Sequence, residues 1–153
     1  MVDIITQQTW STSVNVLPTG LKEQLQSTNM NFYQDGTTLF IAGGYAYANS
    51  IADHKTFNNL TSVDLPNVID AIVNGTAITS YFKQISNDIF AITGGQLAKI
   101  GTTFYLVGGH RFDGRYNPMN NPTFTQTYSN QIRKFTIDNS GSNLSYANYE
   151  TTT

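Results

Sequence analysis

Two short runs dominate the pattern of apolar and polar positions. Residues 36–45 read GTTLFIAGGY and residues 101–110 read GTTFYLVGGH. In each, Gly-Thr-Thr leads into four apolar residues, a Gly-Gly pair and one ring-bearing side chain. An apolar run this short, rich in aromatic and branched residues and preceded by a turn signal, predicts a buried strand rather than a helix. The glycines end it, because two adjacent residues without Cβ let the backbone turn sharply and let other groups approach. The pairs Gly43-Gly44 and Gly108-Gly109 stand 65 positions apart (43 to 108). The same spacing relates Phe32 to Leu97, Leu39 to Phe104, Phe40 to Tyr105 and Tyr47 to Phe112. A second echo matches residues 58–65, NNLTSVDL, to residues 130–137, NQIRKFTI, at a spacing of 72 (58 to 130). The spacing grows because the second copy carries a longer loop. The chain is a repeated β unit.

In chain order, a strand is expected over residues 8–14, a break at 17–20, and one helical turn or a strand lead-in over 21–26. The first repeat then gives strands over 29–33 and 38–42, a loop over 45–55, and strands over 56–65 and 79–85. Between the last two lies PNVIDAIVNG, residues 66–75, with apolar residues at Val68, Ile69, Ile72 and Val73. That helical spacing, with proline near its start and glycine after its end, predicts a short inserted helix, the alternative being another buried strand. The second repeat restarts over 90–100, with strands at 103–107, 127–137 and 143–149. A long loop over 110–126 contains Pro118 and Pro122, and residues 138–141 form a turn. The core is expected to hold Phe32, Leu39, Ile41, Leu97, Phe104, Leu106, Ile132 and Phe135.

An apolar strand ending in Gly-Gly, then a loop, then a strand with alternating large residues resembles a kelch repeat. In that family each repeat is one four-stranded blade of a β-propeller. The resemblance covers roughly residues 28–150. Thr93-Gly94-Gly95 with Lys99-Ile100-Gly101, and GHRFDGRYNP at residues 109–118, are similar to stretches of secreted kelch-like proteins of Bacteroidetes-type bacteria. The single tryptophan, Trp10, departs from the family pattern by preceding the first repeat. The resemblance implies an all-β fold: a segment of a kelch-type propeller with about two four-stranded antiparallel blades, a leading strand and one short inserted helix. Residues 1–27 would then end a preceding blade, 28–89 form the first kelch-like blade and 90–153 the second. A propeller closes with about four to eight blades. Two repeats leave both outer faces bare, so further blades or subunits are expected to complete the ring.

Composition adds an environment. The 153 residues carry a net charge of −2, which gives no electrostatic footprint for nucleic acid or an anionic membrane. No cysteine is present, so neither disulfides nor thiol chemistry arise. Richness in Asn, Thr, Ser and Tyr, with few Lys and Glu, is expected of an extracellular or cell-surface β protein. The first ten residues lack the basic region and apolar core of a signal peptide, so an exported form is one whose leader lies outside this sequence. No apolar run approaches the roughly 18 residues of a membrane-spanning helix.

The densest polar cluster, residues 110–116, follows the second Gly-Gly strand. In antiparallel blades this loop and its counterpart in the first repeat emerge on one face. A ligand surface is therefore expected from Tyr45, Tyr47, His54, His110, Arg111, Asp113, Arg115 and Tyr116, because rigid scaffolds commonly bind through such loops. The competing reading is that Arg111, Asp113 and Arg115 pair locally to shape a long loop. His54 and His110 sit at non-equivalent repeat positions without carboxylates at ligand spacing, so no metal site is assigned. Residues 138–143 have one carboxylate and no terminal Glu, and read as a turn rather than a calcium loop. No catalytic residue and no cofactor is assigned: carboxylates are scattered, no GxSxG elbow occurs, and no phosphate loop follows the glycines. The sequence points to a non-enzymatic binding or scaffolding module that presents loop aromatics to a protein or glycan. The alternative is part of a carbohydrate-active propeller enzyme whose catalytic groups lie in other blades.

Overall fold

The computed structural model describes residues 1–117 and 123–153; Pro118 and Pro122 lie outside them. Helix α1 spans Thr19–Leu25. Strands β1 (Asn31–Asp35), β2 (Thr38–Ala42), β3 (Tyr45–Ala48), β4 (Asp53–Thr56) and β5 (Asn59–Asp64) follow. Helix α2 (Leu65–Asn74) precedes β6 (Phe82–Ser86), β7 (Gln96–Ile100) and β8 (Thr103–Val107). The chain continues through β9 (His110–Asp113), β10 (Thr125–Tyr128), β11 (Ile132–Asp138) and β12 (Ser145–Thr152). The fold is all-β with short helices. Two four-stranded antiparallel sheets, ordered β1-β2-β5-β6 and β12-β11-β8-β7, are accompanied by hairpins β3-β4 and β9-β10.

The repeat is visible in the pairing. Leu39 faces Val63 across β2 and β5, and Phe104 faces Phe135 across β8 and β11. Asn31 faces Ala42, and Gln96 faces Val107. Isolated bridges join Thr28 to Tyr45 and Thr93 to His110. Both sequence spacings thus correspond to one hydrogen-bond register.

The sheets stack in the same sense. Phe40, Ala42 and Leu60 of the first sheet meet Leu97, Phe104, Leu106 and Phe135 of the second in one core, with Phe90 and Ile92 filling the connection. Phe104 meets Phe40 edge-on at 5.2 Å and stacks with Phe135 at 6.1 Å. The repeat equivalents of Phe104 and Leu106 are Leu39 and Ile41, which point away from the second sheet. They pack with Val63 against Leu17, Leu21, Val68 and Ala71. Helices α1 and α2 therefore cover the first sheet's outer face. This corrects the expectation of two bare faces.

Helix α2 forms as its signals dictate. Asp64 caps its start by accepting from the Asn67 amide at 3.4 Å, and Gly75 closes it in the left-handed region. Helix α1 is docked by polar groups. Gln24, fully buried, donates to the carbonyls of Gly43 at 3.2 Å and Asn59 at 3.1 Å. Its amide oxygen accepts from Thr61 at 2.6 Å and Gln84 at 2.9 Å.

The glycine pairs permit close approach. A Cβ on Gly43 would fall on the carbonyl oxygen of Ile92, and one on Gly109 would lie 2.6 Å from the Ile92 side chain. Both have positive φ, 69° and 75°.

Several local expectations are corrected. Residues 8–14 form no strand. Val2 bridges Thr9, and a Ser13-capped 3-10 turn occupies Val14–Val16, so the segment follows the helical cap rather than a sheet edge. The loops over 45–55 and 110–126 contain hairpins β3-β4 and β9-β10. Phe32 is 64% exposed, because the helices cover Ile41 and Val63 but leave the edge strand β1 open. Ile132 is 38% exposed on the outer face of the second sheet, opposite Val107. No helix among the described residues is long and apolar enough to cross a membrane.

Truncating Phe104 to Ala is expected to cost about 3–5 kcal/mol, as for other buried aromatics. Phe32→Ala should change stability by less than about 0.5 kcal/mol. Urea denaturation of both variants checks this, and equal losses would contradict the packing described.

Candidate functional site

The site lies at the Gly-Gly ends of the sheets. There each repeat extrudes a hairpin between its second and third strands, and the connection from β6 to β7 crosses beside them. A short strand pair is marginal alone, and here the two hairpins support one another. The Thr56 hydroxyl donates to the Phe112 carbonyl at 2.7 Å and accepts the Phe112 N–H at 2.8 Å. Asp113 accepts the Thr56 amide at 3.3 Å. The Gly114 N–H donates to the His54 carbonyl at 2.8 Å, and the Tyr45 hydroxyl donates to the Gly114 carbonyl at 2.6 Å. Strands β4 and β9 are thereby joined into a continuous row.

Aromatic rings reinforce the row. Tyr45 stacks on His54 at 5.7 Å and meets Phe112 edge-on at 5.0 Å. Tyr47 packs its edge on His54 at 5.3 Å. Phe112 stacks on Phe124 at 4.8 Å, with Tyr116 tilted against Phe124 at 5.3 Å. Burial holds the Tyr45 phenol above its ordinary pKa, despite a hydrogen bond with backbone that lowers it, and the nearby Asp53 and Asp113 carboxylates add to the rise.

The first hairpin is also tied to the helical cap. Glu23 of α1, buried, accepts from the Ser50 N–H at 2.9 Å and the Ser50 hydroxyl at 2.8 Å. Burial pushes its carboxyl up, but the Ser50 hydrogen bonds and the charges of Lys55 and Lys22 together hold it below its ordinary value.

Between the hairpins lies a first cleft of about 300 Å³, lined by Asp53, His54, Lys55, Asp88, Arg111 and Asp113 among others. Arg111 Nε donates to Asp113 at 2.7 Å, and the Arg111 guanidinium lies 3.8 Å from Asp88. The hydrogen bond that Arg111 donates to Asp113 raises the Arg111 pKa further, against burial. Asp53 accepts the His54 N–H at 2.7 Å, and Asp88 accepts from Asn58 at 2.9 Å. The cleft's carboxylates thus serve as acceptors that shape backbone and side chains. Among the described residues no group of three or more His, Asp or Glu side chains is placed to hold a metal.

Of the eight residues expected at the site, His54, Arg111 and Asp113 meet in this cleft, and Tyr45 and Tyr47 support it through the His54 ring. His110 does not join them. It bridges Thr93 and leans on Tyr128 at 5.6 Å, on the far side of β9. Tyr116 is exposed beside Phe124. Arg115 is exposed, and among the described residues its side chain makes no ion pair, so local pairing is confined to Arg111 and Asp113. Asp88 was missed as a site residue. Asp88 comes from the connection between sheets, which carries no repeat signal.

No protein-family model and no curated protein matches the chain.

The joined hairpins make Thr56 a sensitive position. Thr56→Val removes both hydrogen bonds to Phe112 and strands a buried N–H, so it should cost about 1–3 kcal/mol. Amide exchange at Phe112 should accelerate with it, and unchanged exchange would show that the hairpins stand independently. The lowered pKa of Glu23 contributes stability above its ordinary value of 4.5, lost as pH falls through the lower folded-state value. Glu23→Gln should therefore be less stable than the parent near neutral pH and approach it in acid. Denaturation midpoints at about pH 7 and about pH 3 measure the narrowing gap.

Proposed function

We propose that the chain is a non-enzymatic binding or scaffolding module of an exported, surface-associated protein, and that its two sheets are blades of a kelch-type propeller. The observation that carries this reading is the joined hairpin surface. Equivalent loops of two repeats are extended, locked through Thr56 and Phe112, and arranged around an aromatic-backed cleft. Such a surface on a packed β scaffold suits a protein or glycan ligand.

Same-sense stacking supports the propeller reading. The second sheet's outer face carries Ala98, Tyr105, Val107 and Ile132 by strand alternation, and among the described residues no element packs on it. A further blade or another subunit is the partner proposed for it. The carboxylates of the first cleft are committed to structural hydrogen bonds, which favours binding over catalysis.

The test is a binding screen of the purified chain against immobilised neutral oligosaccharides and a peptide panel. Tyr47→Ala and His54→Ala should each weaken any specific ligand by about tenfold, the loss of a ring contact or charge-assisted hydrogen bond. Binding that survives both changes would move the ligand surface away from the hairpins.

A further inference from the structure

A second cleft, of about 370 Å³, opens on the other side of Arg111. Its volume lies within the usual range for small-molecule sites. It is lined by Arg111, Arg133, Tyr128, Ser129, Asn130 and Gln131, with Asp88, Ala91 and Ile92 from the connection between the sheets. The chain has three arginines in all, and two of them meet here although the net charge is −2.

Arg133 breaks the repeat. Its equivalent in the first sheet is Thr61, fully buried and bonded to Gln24 beneath α1. In the second sheet the corresponding position carries a guanidinium. Arg133 Nη1 donates to the Ser129 hydroxyl at 3.0 Å, and among the described residues no carboxylate pairs with it. A half-buried guanidinium that donates to one hydroxyl keeps further N–H donors free for an anion. The cleft's one carboxylate, Asp88, is 73% exposed, 3.8 Å from Arg111, and accepts from Asn58.

The remaining polar lining is hydroxyl and amide, beside the apolar Ala91 and Ile92. Tyr128, 75% exposed, rests one side against His110 and leaves most of its ring open. Planar guanidinium groups match carboxylates in a fork geometry. Amides and hydroxyls match sugar hydroxyls, and an open aromatic ring offers a stacking platform.

We propose that this second cleft binds a carboxylate-bearing saccharide, with the acid group on Arg133 and Arg111 and a sugar ring against Tyr128. The assignment needs neither propeller closure nor a ligand in the first cleft. A neutral glycan would leave Arg133 uncompensated, and an acidic peptide would make little use of the hydroxyl-and-amide lining.

The experiment is a heteronuclear NMR titration of the whole chain with digalacturonic acid, galactobiose, sodium acetate and a Glu-Glu dipeptide. Digalacturonic acid should give saturable shifts at the amides of Ser129, Asn130 and Gln131 and at Arg133 Nε. Galactobiose should bind at least about tenfold more weakly, for want of charge-assisted hydrogen bonds. Arg133→Gln should lose about tenfold or more in affinity, Arg133→Lys should lose less, and Phe32→Ala on the exposed edge strand β1, away from both clefts, should leave binding unchanged. The four titrations of the unaltered chain test the proposal even where a variant folds poorly. Absence of saturable shifts at 129–133 overturns the proposal. So does acetate producing the same shifts at the same concentration, which would mean an adventitious ion only. Tighter binding of the dipeptide also overturns it, in favour of a peptide carboxylate.

Discussion

The structure depends on one carbonyl. Ile92, in the connection between the two sheets, presents its C=O to the Gly44 N–H at 3.1 Å and to the Asn31 side-chain amide at 2.9 Å. The approach is open only because Gly43 has no Cβ to meet that oxygen. Beside it, Gly94 N–H donates to the Asn29 carbonyl, and the Thr93 hydroxyl donates to the same oxygen. Buried backbone groups need partners, and here the partners of one repeat are supplied by the other. The seam sets the spacing at which Phe40 reaches Phe104. It also fixes the level from which both hairpins emerge, so core and site share one anchor.

What the sequence disclosed follows from where apolar contrast was strong. Strands β2 and β8 were legible to the residue, because each is an apolar run between a Gly-Thr-Thr turn and a glycine pair. Helix α2 was legible because its apolar spacing, proline and glycine agree with one another. The hairpin strands were not. Tyr45–Ala48, Asp53–Thr56 and Thr125–Tyr128 are short and polar or mixed, and they are held by the neighbouring hairpin rather than by an alternating apolar face. Helix α1 was only half legible, because Glu23 and Gln24 are buried where an amphipathic pattern calls for apolar residues. Phe32 and Ile132 were misplaced for a related reason. Strand alternation says which face a residue shares, but whether that face is covered depends on elements elsewhere in the chain.

The site was read in the same uneven way. The polar cluster after the second glycine pair lies at a cleft that Arg111 and Asp113 both line. Its ring-bearing neighbours proved to be partly scaffold: Tyr45 commits its hydroxyl to Gly114, and His110 faces Tyr128. Arg133 lay within the second echo, matched to a threonine, and was passed over because strand residues are first read as core. Asp88 carried no repeat signal, since its place in both clefts comes entirely from tertiary packing.

The covering of one sheet face by α1 and α2 gives the stack a direction. Each sheet presents its successor with one kind of surface and receives its predecessor on another, so the contact is heterologous rather than self-complementary. In this chain the receiving surface of the first sheet is already occupied by helices. A second copy therefore cannot continue the series in the same sense, because its own receiving surface is closed. Among the described residues the helices lie on one end of the stack and no helix covers the other. A continuation in the original sense needs a sheet without such a helical cover.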